Sequence, residues 1–413
     1  MSEHFDTLET RDPEIRERAV LASLPTQVAH AKSRAPGFAR LFAGVDPREI
    51  TSRSALAKLP VTRKNELATL QNSARPFGDL VASGWGDLAR VFASPGPIYE
   101  PEGRRADWWR LARALYAAGF RRGDLVHNCF AYHLTPAGFM LEGGAQALGC
   151  TVFPGGTGQT ELQVQAIADL APAGYVGTPS FLRIILDKAD ELGIKLPSLR
   201  KALVSGEAFL APHREALLAR SIQAYQVYAT ADLGTVAYET RARAGLVVDE
   251  GVLVEIVRPG TGDPVQEGEV GEVVVTALTN TDYPLIRFGT GDLSAVLPGP
   301  SPCGRTNLRI KGWMGRADQT TKVKGMFVHP GQVAAIVARH PEIAKARLIV
   351  DNPDGTDRMM LHIEPRSAGA AVATDAIIVS MRDVTKLRGE LVTRKPGELP
   401  NDGKVIDDLR KIE

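Results

Sequence analysis

Five short stretches gather residue types able to do chemistry. The first, "VFASPGPIYEPEG" (91–103), has the outline of a phosphate-gripping loop, opened by Ser94 and Gly96 and closed by Gly103. Small residues there let backbone N–H groups come close to a phosphate. Where such loops carry Thr, Gly and Lys, this one carries Pro97, Ile98, Tyr99 and Glu100. In the second, "QVYATADLGTVAYE", a strand end runs through Tyr228, Ala229 and Thr230 to Asp232. A carboxylate two residues past a Thr at the mouth of a parallel sheet could hold Mg²⁺ with a phosphate, or the pair could simply cap a helix. The third is "PLIRFGTGDLS", where two glycines allow a sharp turn that presents Asp292. Its carboxylate could accept two hydrogen bonds from a ribose diol, or the segment is a plain turn between strands. In the fourth, "GRADQTTKVKG", Arg316 and Asp318 stand at an apparent domain boundary. The fifth, "LPNDGKVIDDLRK", places Lys404 after a glycine in a polar turn, where its ammonium can swing widely; it is equally one of the chain's 49 Lys and Arg residues in solvent.

Such groups need a scaffold, and the pattern predicts one. Residues 1–60 read as helical, with Ile15, Ala19, Leu21, Leu24, Val28 and Ala31 at helical spacing. From about Asp124, short apolar runs ("LVHNCF", "TVFPGG", "AGYVGTPS", "LRKALVSGEAF") alternate with helix-like segments. That alternation predicts β-α-β units and a parallel sheet, with ligands collecting at the carboxyl ends of the strands. Near Asp249 the texture changes to strand runs separated by Pro-Gly, Gly-Asp and Glu-Gly turns, which predicts a mostly antiparallel β unit. The last ninety or so residues have the size of a small α+β domain. The expected fold class is therefore α/β, with a large domain over 1–317 and a small one over 318–413.

Composition narrows the function. The 413 residues carry a net charge of +1 and are 44% hydrophobic and 23% charged. That charge gives no field to recruit nucleic acid or an anionic membrane. No apolar run approaches the length needed to cross a bilayer, and the charged start "MSEHFDTLETRDPEIRER" is no signal peptide. Cys129, Cys150 and Cys303 lie far apart, which excludes a disulfide framework and a zinc ribbon and points to a reducing cytoplasm.

The order of these motifs resembles the adenylate-forming superfamily, and within it phenylacetate–coenzyme A ligase and its aryl-CoA ligase relatives. The similarity runs nearly end to end. "LAKLPVTRKNEL" is similar to the family's Leu-Pro-x-Thr-Lys segment, and "VSGEAF" stands where it has Gly-Gly-Glu-Pro. "YATAD" stands for Tyr-Gly-x-(Ser/Thr)-Glu, "RFGTGDL" for Arg-x-x-Thr-x-Asp-Leu, "GRAD" for the hinge and "ELPNDGK" for the terminal Gly-Lys motif. The resemblance implies ATP-dependent activation of an aromatic carboxylic acid as an acyl-adenylate, followed by transfer to coenzyme A or a carrier thiol. It implies ATP/AMP, Mg²⁺ and coenzyme A as cofactors, a mobile C-terminal domain and a homodimer. Residue by residue, Gly206 and Glu207 border the adenine and Tyr228, beside Ala229, stacks on it. Thr230 bonds the α-phosphate, and Asp232 holds the metal in place of a Glu. Asp292 and Arg316 hold the ribose, Asp318 is the pivot and Lys404 stabilises charge during adenylation. Tyr132 and His133 fall at the aryl pocket.

One departure stands out. Pro97 removes a backbone donor, Ile98 a hydroxyl, and Tyr99 blocks close approach. Glu100 puts negative charge where the β- and γ-phosphates would lie, which costs about 1 to 4 kcal/mol at effective dielectrics of about 80 to 20. The AMP-facing residues persist while the triphosphate clamp is degraded. That keeps two alternatives open: an acyl transferase that does not use ATP, and a silent homologue that binds aromatic acid, AMP or acyl-CoA.

Overall fold

In a computed structural model the chain divides into two units, Met1–Trp313 and Met314–Glu413. The structure describes residues 3–410 apart from 95, 210, 259–260, 315, 318–320, 325, 329, 354, 368–371 and 401–403.

The first unit is organised by a nine-stranded sheet. One half is parallel: Gln223–Thr230, Lys201–Val204, Gly174–Gly177, Leu125–Asn128 and Thr151–Phe153 lie side by side. The intervening helices include Ala137–Ala147, Thr160–Leu170, Pro179–Glu191 and Ala211–Ala219, as the alternating pattern predicts. Local chemistry fixes their starts. Thr178 accepts the Phe181 N–H at 3.3 Å and Pro179 occupies the first turn, so the helix begins there. Strand Gln223–Thr230 is where the topology switches, pairing in parallel on one side and antiparallel with Gly234–Glu239 on the other. Thr230 sits at its carboxyl end.

A second, four-stranded sheet carries Thr62–Arg63, Phe288–Ser294, Gly271–Ala277 and Val252–Val257 in that order. Three of its strands are antiparallel, and Thr62–Arg63 joins the edge in parallel. Behind this edge lies Arg287, 1% exposed. Its guanidinium pairs with Glu255 at 3.0 Å and donates to the carbonyls of Ala57, Leu59 and Gly262 at 2.7, 2.6 and 2.6 Å. A buried charge tolerates its desolvation only when so fully partnered.

The N-terminal helix, Pro13–Arg34, departs from its predicted face. Leu24, Val28 and Ala31 are buried, but Ile15 is 53% exposed and Ala19 is also exposed. Arg16 is buried in their stead. It donates to the Leu8 carbonyl at 2.7 Å and to Thr306 at 2.6 Å, and it pairs with Glu250 at 3.2 Å. The first turn packs on polar partners that apolar periodicity cannot reveal.

The second unit has its own core. Its four-stranded sheet runs Glu390–Thr393, Arg358–Pro365, Ile343–Asp351, Ile406–Asp408, with helices Pro330–Arg339 and Thr374–Thr385. Leu361, Ile363, Ile377 and Met381 are fully buried in it.

Candidate active site

Two polar clusters form in the first unit near the sheet's switch point. In the first, the Tyr228 hydroxyl donates to Asp292 Oδ2 at 2.9 Å and contacts Thr290 Oγ1 at 3.1 Å. The Trp313 indole N–H donates to Asp292 Oδ1 at 3.0 Å. Both carboxylate oxygens are thereby oriented, in a residue only 8% exposed. Gly291, at φ +75°, supplies the turn that presents Asp292. Tyr228 and Asp292 are both expected in the site from their motifs; Trp313 is not, because an indole donor has no spacing signature.

The second cluster is built on the hairpin Leu88–Ser94/Ile98–Gly103, in which Ser94 pairs with Ile98 and Gly96 sits in the turn. Strand alternation sets which of its side chains point inward. Ile98 is buried, Tyr99 is 37% exposed, and Glu100 returns inward at 0%. Gln71 fixes that phase by bonding both the N–H and the carbonyl of Tyr99 at 2.8 Å. Inside, Ser94 Oγ donates to Glu100 Oε1. Lys64 is in direct contact with Asp232 Oδ2 and lies 4.0 Å from Glu100. Thr62 pairs with Phe288 and Arg63 with Gly289, so the edge strand leads straight to Lys64. The "LPVTRK" stretch is the sequence signal for this ammonium, although the lysine falls one position later than the motif suggests.

Burial, reinforced by the negative Asp232 and opposed by Lys64 and Ser94, pushes the Glu100 carboxyl up to about 8. Glu100 Oε2 and Asp232 Oδ1 are buried without a hydrogen-bond partner, as is the Tyr283 hydroxyl. Both carboxylates act electrostatically on Tyr283, which burial already holds well above the ordinary phenol range. Two unsatisfied carboxylate oxygens are the donor type that a hard divalent cation takes, so the residues present fit Mg²⁺. Among the described residues no group of three or more His, Cys, Asp or Glu converges on a common point. Thr230 Oγ1 accepts the Leu233 N–H at 3.1 Å, holding the turn that delivers Asp232.

Around the predicted adenine position, Gly206 adopts φ +83° just past strand Lys201–Val204. The exposed Glu207 accepts the Ser180 N–H at 2.6 Å at the amino end of helix Pro179–Glu191, where a carboxylate is favoured. Ala229 lies at a register shift between its strand and Gly234–Glu239.

Tyr132, His133, Pro154, Gly155, Gly156 and Thr157 line a cavity of about 340 Å³. The Tyr132 hydroxyl joins a network, accepting from Asn128 and donating to Glu142, each at 2.8 Å. His133 is exposed. Gln163, which no sequence pattern marks, ties the glycine wall in place. It donates to the Gly155 carbonyl at 2.8 Å and lies 2.6 Å from buried His127.

Arg316 and Lys404 belong to the second unit. Arg316 is half-buried, and Lys404 is exposed and pairs with Asp407 at 3.2 Å. Asp318, expected as the pivot, lies outside the described residues.

Comparison with known proteins agrees with this architecture. Residues 112–280 match the AMP-binding enzyme family. The solved structure of 2-hydroxyisobutyryl-CoA ligase in complex with 2-HIB-AMP and CoA is similar in fold, with a TM-score of 0.82 and 24% identity over 100% of this chain and 93% of that one. The class is thus that of the adenylate-forming, AMP-binding enzymes. Phenylacetate-coenzyme A ligase of Thermus thermophilus is 33% identical over 93% of this chain and 94% of its own length. Its counterpart from Escherichia coli is 30% identical over 82% of this chain and 80% of its own length. The chain belongs to the phenylacetate–coenzyme A ligase family.

Proposed function

We propose that this protein is an AMP-forming acid–thiol ligase that activates an aromatic carboxylic acid with ATP and passes the acyl group to coenzyme A. In the first step a carboxylate oxygen attacks the α-phosphorus, the bond to the β-phosphate oxygen breaks, and pyrophosphate leaves. In the second the coenzyme A thiolate attacks the acyl carbon and AMP departs. The Asp292 carboxylate supports the reading most: Tyr228 and Trp313 orient its two oxygens, and each keeps a lone pair that could accept a ribose hydroxyl. Arg316 serves the same ribose, and Gly206, Glu207 and Tyr228 frame the adenine. Thr230 takes the α-phosphate. Mg²⁺, when bound beside Asp232, offsets phosphate charge. Lys404 supplies positive charge as carboxylate and phosphate approach. The acid occupies the cavity beside Tyr132 and His133. A cytoplasmic homodimer is the working assembly.

Pyrophosphate exchange driven by a panel of aromatic acids is the test, and the expected result is exchange with at least one of them. A second reading draws on Glu100 in the phosphate loop: acyl transfer without ATP. Under it no acid drives exchange, while coenzyme A thioesters and AMP still bind in calorimetry.

A further inference from the structure

We infer that Glu100 is a second carboxylate ligand for the divalent cation that accompanies the nucleotide's phosphates, acting beside Asp232 in place of the missing Thr-Gly-Lys grip; this rests on the ATP-dependent reading above.

Three observations carry it. Glu100 and Asp232 come from different elements, yet both are fully buried and both face the Lys64 ammonium. Each also has one buried oxygen with no hydrogen-bond partner, and the Tyr283 hydroxyl beside them has none either. Unsatisfied buried carboxylate oxygens are costly, so the site is complete only when something offsets them. Hard oxygen donors select a hard cation.

Charge decides which occupant fits. With both carboxylates ionised, as metal ligation requires, they and the one ammonium sum to −1, which repels a triphosphate. Adding a dication turns the sum to +1, which attracts it. Reach argues the same way. Asp232 is one methylene shorter than the glutamate the family places there, and Glu100 approaches from the hairpin, held by Ser94. No third acidic or imidazole ligand joins among the described residues. The remaining positions therefore fall to phosphate oxygens and water, the arrangement Mg²⁺ prefers. On this account the loop has not lost its hold on pyrophosphate; it has exchanged backbone and lysine contacts for a cation held by two carboxylates.

The repulsive and the metal-holding roles of Glu100 predict opposite results for one isosteric change. Binding of Mn²⁺ together with α,β-methylene-ATP is measured by electron paramagnetic resonance and calorimetry, and AMP binding is measured without metal. For Glu100→Gln the expected result is Mn²⁺-dependent affinity for the analogue lower by about tenfold or more, with AMP affinity within about twofold. Equal or tighter binding of the analogue by Glu100→Gln overturns the inference. Wild-type protein that binds AMP but not the Mn²⁺–analogue pair overturns the ATP-dependent reading and the inference with it. Wild-type protein that binds neither ligand overturns the ATP-dependent reading itself. Should the glutamine variant fail to fold, Glu100→Asp is measured instead. It is expected to lose at least about threefold in Mn²⁺ affinity, and an unchanged affinity overturns the inference.

Discussion

The two ends of the proposed nucleotide site are built on opposite principles. At the ribose end a carboxylate receives its donors from the protein: Tyr228 and Trp313 satisfy both oxygens of Asp292 before any ligand arrives. At the phosphate end the carboxylates of Glu100 and Asp232 each keep a buried oxygen unmet. The first arrangement stores orientation and the second stores electrostatic demand. A site of the first kind binds its ligand with little dependence on added ions, whereas one of the second kind is finished only by a cation. On the proposed reading, the difference would let the chain keep AMP-facing groups while its 91–103 hairpin departs from the family's loop.

Four substitutions test the contrast between the two ends. The largest effect is expected from Lys404→Ala, which removes the cation proposed to meet the reacting carboxylate and phosphate. Adenylation should fall by about 10²- to 10³-fold, measured by pyrophosphate exchange, while thioester formation from a supplied acyl-adenylate persists. Normal exchange by this variant would remove Lys404 from the chemistry.

Next comes the unmet charge itself, probed in metal-free protein. The Glu100 carboxyl titrates near 8 in the fold, against 4.5 as its ordinary value. Its protonation therefore favours the folded state. The contribution is complete below about pH 4.5 and is lost as pH rises through about 8. Glu100→Gln cannot ionise, so it should match wild type near pH 5 and exceed it by about 2 to 4 kcal/mol at pH 9. Urea unfolding across that range checks this, and parallel pH profiles for the two proteins would show that Glu100 carries no unmet charge.

At the ribose end, Asp292→Ala should weaken AMP binding by about 2 kcal/mol, some thirtyfold, with or without metal. A loss seen only when Mg²⁺ is present would erase the distinction between the two ends. The smallest effect belongs to Trp313→Phe, which removes one donor to Asp292 and should cost about 1 kcal/mol in AMP affinity by calorimetry.

Much of this molecule is legible from residue order. Alternating apolar runs locate the parallel half of the large sheet because strands buried on both faces read as short continuous apolar segments. Gly291 and Asp292 are legible because a turn that needs positive φ advertises itself with glycine. The hidden part is polar and long-range. Ile15 matches a helical stripe yet faces solvent, because Arg16 finds Glu250 and Thr306 hundreds of positions away. Glu100 reads as simple repulsion, since nothing in "GPIYEPEG" says that strand alternation turns it inward or that Asp232 and Lys64 await it there. Gln163 and Trp313 give no signal, for amide and indole donors act through contacts that no spacing encodes.

Arg287 gives the two ends a shared anchor. One guanidinium grips the chain just before Lys64 and, through its own backbone, leads into the strand that carries Asp292. Loosening that one guanidinium would therefore disturb the segments leading to Lys64 and to Asp292 together.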